Sequence, residues 1–384
     1  MNRLHRLSRD ESGMSYVFIG LGLMAFLSAS MLAIDVGMLM TARNQAQNSA
    51  DAGALAGAVA LYYEDYDDRT ATGPAVTSAL DSARQNQVMS GQVSVEPADV
   101  EFPNDPGGNP SRVRVTVYRN AARGNPMATM IARYFGMANV GVAAVATAEV
   151  SPANAMTCVK PFTIPDKWTE NQTAPWDDTD TYDAFDNKGV PLPDADVYVP
   201  ADQPGYTGYN QESNRGQPLE LRADNGSKIG PGMYFSYAIA DVTGASAYDW
   251  NIANCNKHIM HWGDLLLHEP GAMAGPTASG IEELIAKDLN AYWDTVTNTV
   301  KGSAYGAAQS PRIFPIPLYD PIYYDSGKRN GRYADLKVAN WIGFFAERVQ
   351  GYRIFGRIIP IAGIRDYSHS FPAGLFPKTI RLVE

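Results

Sequence analysis

Cysteine is nearly missing from this chain of 384 residues; only Cys158 and Cys255 are present. Their spacing excludes a CxxC redox or zinc motif. An excess of positive charge is missing too. Lys and Arg number 31 against 41 Asp and Glu, a net charge of −10, and no basic stripe with interleaved aromatics occurs. That balance argues against nucleic-acid binding. The nucleophile and phosphate motifs GxSxG, SxxK and GxxxxGK with Ser or Thr are absent, as is HExxH. No enzyme activity is expected. Proline is absent from Met14 to Tyr63, so nothing in that stretch need break a helix.

Charge is also absent from Met14 to Ile34. As a helix this run of about twenty residues is about 30 Å long, the thickness of one bilayer core. Arg3, Arg6 and Arg9 precede it; Glu64, Asp65, Asp67 and Asp68 follow it at a distance. The positive-inside bias predicts a cytoplasmic basic tail over 1–13, a transmembrane anchor over 14–35, and export of everything beyond. A cleaved signal peptide is the rival reading, with Ser28-Ala29-Ser30 as its small-residue site. Against it, the apolar run continues through Met31 and Leu32 to Ile34.

The fold class read from the pattern is α+β. One helix is predicted over about 14–62, with Ala46, Ala50, Ala54 and Gly57 sharing a small-residue face that lets another backbone approach closely. The break YYEDYDDR (62–69) ends it, and a second helix is predicted over about 75–89. Val93 and Val95, and then Val113, Val115 and Val117, alternate with other residues as half-buried strands do. Asn125-Pro126 reads as a helix start, with Met127, Met130, Ile131, Tyr134 and Phe135 on one stripe and Gly136 as the stop. Val140 to Val150 reads as a strand. Residues 36–150 thus form an α+β domain. From 151 to 384, Pro, Gly, Asp and Tyr mark a β-rich domain. It is interrupted by a helix with a Ser279/Glu282 capping box and an apolar face through Leu289, Tyr292, Trp293 and Val296. Lys337–Val349 and Tyr352–Ile361 flank Gln350-Gly351 as a hairpin.

Four features carry candidate chemistry. On the exported side Cys158 and Cys255 are expected to form a disulfide. The small face of Ala46, Ala50, Ala54 and Gly57 is a candidate packing surface for a partner helix, or for the chain's own domain. Asp177, Asp178, Asp180, Asp183, Asp186 and Asn187 ahead of Gly189 offer oxygen ligands, with Asp194, Asp196 and Asp202 in the next loop. Calcium is the ion they suit, with Asp178, Asp180, Asp183 and Asp186 as its ligands. The spacing is not that of an EF-hand, and a solvated acidic loop is the plainer reading. His258, His261 and His268 offer an HxxH zinc pair without a third ligand at tight spacing; packing beside the disulfide is the alternative. No other cofactor is expected.

RDESG (9–13), the apolar helix, Asp35-Val36-Gly37 and QNSADAGALAGA (47–58) together resemble the N-terminal segment of TadG-like proteins of the Tad/Flp pilus system. The stretches at 125–150, 159–168 and 340–361 resemble later parts of that family more weakly. The resemblance implies a single-pass inner-membrane protein with a periplasmic bulk, a minor-pilin-like or assembly component that packs on other pilus components. It also implies two departures. Prepilin-peptidase substrates of this class carry Glu at the fifth position after the cleavage Gly, and counting from Gly13 that position is Phe18. The von Willebrand A domain of longer members is not expected, although the string DxSxS occurs once, as Asp366-Tyr367-Ser368-His369-Ser370. A periplasmic metal-binding protein or hydrolase, or a surface-released adhesin, is the alternative function.

Overall fold

The computed structural model describes residues 12–64, 68–106, 108, 110–172, 176–186, 188–223, 228–269, 271–306, 309–328, 334–370 and 372–383. Arg3, Arg6, Arg9, Asp65, Asp67 and Asn187 fall outside them. The chain divides into two compact units. The first holds the described residues up to Glu149 and from Ile380 onward; the second is Val150–Thr379.

The first unit is built on one helix, α1 (Ser12–Tyr63), 52 residues and about 78 Å long. Its C-terminal half packs against α2 (Pro74–Gln85), which buries Ala75, Val76, Ala79, Leu80 and Ala83. Beneath lies a sheet with β1 (Val100–Glu101), β2 (Arg112–Arg119) and β3 (Val142–Pro152), completed by the C-terminal strand Lys378–Leu382 beside β3. β2 and β3 run antiparallel with Arg112 opposite Glu149 and Val115 opposite Ala146. Val113, Val115 and Val117 point into the core, as their alternation predicts. Val93 and Val95 are buried, but their segment forms only an isolated bridge from Ser94 to Tyr118.

The predicted helix after Asn125-Pro126 does not form. Met127–Ala128 pairs with Asn139–Val140 as a short ribbon, and only one 3-10 turn, Ala132–Phe135, follows. Gly136, at φ 89°, closes that turn.

The second unit is dominated by strands: β4 (Phe162–Pro165), β5 (Pro218–Ala223), β6 (Met233–Ala238), β7 (Leu265–His268), β8 (Ile313–Tyr319), β9 (Leu336–Gln350) and β10 (Arg353–Ile359). Their pairings β5–β10–β9–β8–β4–β6–β5 close on themselves, and β7 bridges β6 and β9. Closure leaves few free strand edges to seed aggregation. β9 is buried from Val338 to Ala346 on both faces, which its near-continuous apolar run requires. β9 and β10 make the hairpin read from the sequence, turning at Gly351 with φ 63°.

Helix α3 (Ala245–Ala253) packs on α4 (Ala274–Lys287), which in turn packs on β9. α4 begins before the expected capping box, so Ser279 lies inside it. It also ends earlier than its apolar pattern suggests. Asp288 leaves the helix and accepts hydrogen bonds from Ser303 Oγ (2.7 Å), Ser310 Oγ (2.6 Å) and Ala304 N (3.1 Å). Arg312 donates to the carbonyls of Asp288 and Ala291, fixing the exit. Leu289 and Val296 are therefore exposed, while Tyr292 and Trp293 enter a short strand paired with Thr299–Lys301.

Candidate functional site

α1 is the one helix among the described residues that is long and apolar enough to cross a membrane. Its first half makes no core with the other described residues. Phe18, Ile19, Met24 and Phe26 all stand more than half exposed. A continuous apolar cylinder of that kind is stable only in lipid or against another apolar surface.

The second half has the opposite character. Ala42, Ala46, Ala50, Ala54 and Ala58 form a fully buried stripe, with Gly53 and Gly57 beside it. A Cβ added at Gly57 would come within 2.8 Å of Val113 Cγ1 and 3.1 Å of Ala79 Cβ. One at Gly53 would sit 3.0 Å from the Ala79 carbonyl oxygen. Ser49 Oγ donates to the Ala83 carbonyl (2.7 Å), and Ser82 Oγ to the Ala52 carbonyl (3.1 Å). The small residues at 46, 50, 54 and 57 thus let α2 and β2 lie close against α1. This face is filled from within the chain; the expectation of a docking face for a partner helix meets a surface its own domain already covers.

Between the two halves sits Asp35, directly after the apolar run. Its carboxylate accepts three backbone N–H bonds, from Met130 (2.8 Å), Ile131 (2.9 Å) and Ala132 (2.6 Å). These donors open the 3-10 turn and have no partners of their own within it. Asp35 therefore replaces the helix expected there with a loop latched to α1. Three apolar side chains of that loop face solvent: Met130, Tyr134 and Met137, at 53%, 76% and 56% exposure. Met130 and Tyr134 belong to the helical stripe read from the sequence; the structure gathers them with Met137 in the loop that Asp35 holds.

Comparison with known proteins bears on this same helix. Residues 13–60 match the model of the family described as putative Flp pilus-assembly TadE/G-like. The match covers the apolar half of α1 and the small-residue half up to the break, and nothing beyond. No curated protein and no solved structure matches the chain. The TadE/G-like segment is thus the apolar half of α1 together with the face that seats the first unit's core.

The remaining candidate residues all lie in the second unit. Cys158 and Cys255 are bonded to each other, 97 residues apart. Beside the bridge, Lys160 Nζ donates to the carbonyls of Ile252 and Asn254, at the end of α3. Burial, with Lys287 nearby, pulls that amine down to about 7. In the acidic segment, Asp180 Oδ2 accepts from Asp177 N (2.6 Å), Asp183 Oδ2 from Thr181 Oγ1 (2.6 Å), and Asp186 Oδ1 from Lys188 N and Val190 N (both 2.8 Å). Asp178 offers its backbone carbonyl to Arg222. Asp196, in the next loop, binds the N–H groups of Asn171 and Asp183. The bond from Lys188 N to Asp186 Oδ1 is that of an Asx turn, and the Asp196 bonds tie the acidic segment to the next loop.

Among the described residues His258, His261 and His268 do not form one cluster. His258 is exposed, and His268 Nε2 bonds the Ala334 carbonyl at 2.8 Å. His261 instead meets two residues more than a hundred positions away. Its Nε2 lies 2.9 Å from Asp366 Oδ2, and His369 Nδ1 lies 3.1 Å from the same oxygen. The sequence signal for this meeting was the i, i+3 pair Asp366 and His369, which nothing in the chain's order linked to His261.

Proposed function

We propose that this protein is a membrane-anchored, non-enzymatic component of a Tad/Flp-type pilus machine, a TadG-like chain without a von Willebrand A domain. The observation that carries the reading is the coincidence of the TadE/G-like match with α1, a helix half bare and half packed. In this reading the bare half spans the inner membrane with Arg3, Arg6 and Arg9 on the cytoplasmic side, and both folded units lie in the periplasm. The disulfide accords with an oxidising compartment. Other pilus components pack on the bare half of α1, where a Cβ added at Gly20, Gly22 or Gly37 would meet nothing within 4 Å, because the face at 46–57 is already used. The loop latched by Asp35 rests on the outer surface of the bilayer. Tyr134 and its neighbours enter the interface there, as amphipathic aromatics do.

Topology is tested by reporter fusions after about residues 70 and 380. Both should be active only as periplasmic reporters, and a cytoplasmic signal at either site contradicts the reading. Mass analysis of the membrane-bound chain should find residues 14–34 retained. An N-terminus near residue 31 would favour a cleaved signal and a released protein.

A further inference from the structure

We propose that His261, Asp366 and His369 form a binding site for a divalent transition metal, zinc in the first instance. Two imidazoles and one carboxylate are the donor set that zinc, nickel or copper takes, whereas calcium and magnesium take oxygen. The three ligand atoms lie within 4.8 Å of one another. Tetrahedral zinc, with bonds of about 2.0–2.1 Å, places neighbouring donors roughly 3.3 Å apart. The two separations from Asp366 Oδ2, 2.9 and 3.1 Å, are already within a few tenths of an ångström of that value.

The scaffold is built to hold this geometry. Ala155 pairs with His261 on one side and bridges Ile364 on the other, so one short segment carries both ligand-bearing stretches. Its neighbour Asn154 is fully buried. Asn154 Oδ1 accepts from Asp366 N (2.8 Å), and Nδ2 donates to the carbonyls of Asp366 (2.8 Å) and Ser370 (3.0 Å). Asp366 Oδ1 is taken by Ser368 N and Oγ, which turns Oδ2 toward the imidazoles. The two rings stack at 4.1 Å between centroids, so one of them turns on binding for both ring nitrogens to aim at one ion. On the far side of His261, Asp264 Oδ2 accepts from the His261 backbone N–H (2.7 Å) and lies 4.0 Å from Nδ1. A carboxylate behind the outer ring nitrogen is what orients metal-ligating histidines. Binding requires His369 Nδ1 to give up its contact with Ser368 Oγ at 2.9 Å. The His369 side chain is half exposed, so an ion can enter from solvent and keep a fourth position for water.

The test uses the full chain without a polyhistidine tag, in detergent and stripped with a chelator. Zinc titration followed by calorimetry should give one ion per chain, and cobalt should give the visible absorption of a tetrahedral site. His369→Ala, at a half-exposed position, should fold normally by circular dichroism and lose at least tenfold in affinity. Asp264→Asn should lose about tenfold, the usual scale for an outer partner. His258→Ala should bind as the parent does. A parent chain that takes up no zinc, or one whose zinc affinity is unchanged by His369→Ala, overturns the proposal.

Discussion

Asp166 is a carboxyl with no access to solvent, in the core of the second unit. Tyr206 and Tyr198 donate to Oδ2 at 2.7 and 3.1 Å, and the Lys167 and Tyr209 N–H groups bind Oδ1. Burial outweighs these bonds and pushes the carboxyl from 3.8 up to about 6. The folded state therefore keeps a proton over a range where the unfolded chain releases it. Stability contributed by this group is highest in acid and falls as pH rises from about 4 to 6, by about 3 kcal/mol at most. Asp166→Asn should flatten that slope. Denaturant melts at pH 4 and pH 7, followed by tryptophan fluorescence, give the comparison; an unchanged slope would show that Asp166 is ionised throughout. Nothing in the sequence marked Asp166 as buried, because its tyrosine partners come from a separate loop.

At the scale of elements, local signals were read well where a segment's structure is decided by its own periodicity. α1, the valine strand and the β9–β10 hairpin are of that kind. They failed where a distant polar group competes for the backbone. The helix expected at 126–135 yields to the Asp35 carboxylate and a ribbon partner. The far half of the helix expected at 279–296 yields to Asp288 and Arg312. The small-residue face was visible from spacing alone, but not what would cover it. Since α2 and β2 cover it, Gly57→Leu should destabilise the first unit by about 1–3 kcal/mol. Its level in the membrane fraction should then drop, with fresh protease sites between 64 and 149. A stable protein that only fails to assemble pili would mean that the face serves a partner instead. For the latched loop, Tyr134→Trp in proteoliposomes should give blue-shifted emission that brominated lipids quench. Adding Asp35→Ala should remove the quenching. An emission maximum typical of water in the single variant would place the loop away from lipid.

The chain as a whole carries two units rich in internal ties, the first of them built on a helix whose apolar half is bare. The bridge from Cys158 to Cys255 closes a loop of 97 residues at the entrance to the second unit. Replacing both cysteines with Ala should cost about 2–4 kcal/mol, read as a lower melting midpoint without loss of membrane insertion. The TadE/G-like match lies on the membrane-length helix, so the central claim concerns assembly. The most direct measurement is the number of surface pili, counted by electron microscopy, in a strain lacking this protein and in the same strain supplied with the full chain. The account predicts few or no pili without the protein and normal numbers when it is restored. Normal piliation in its absence would contradict it.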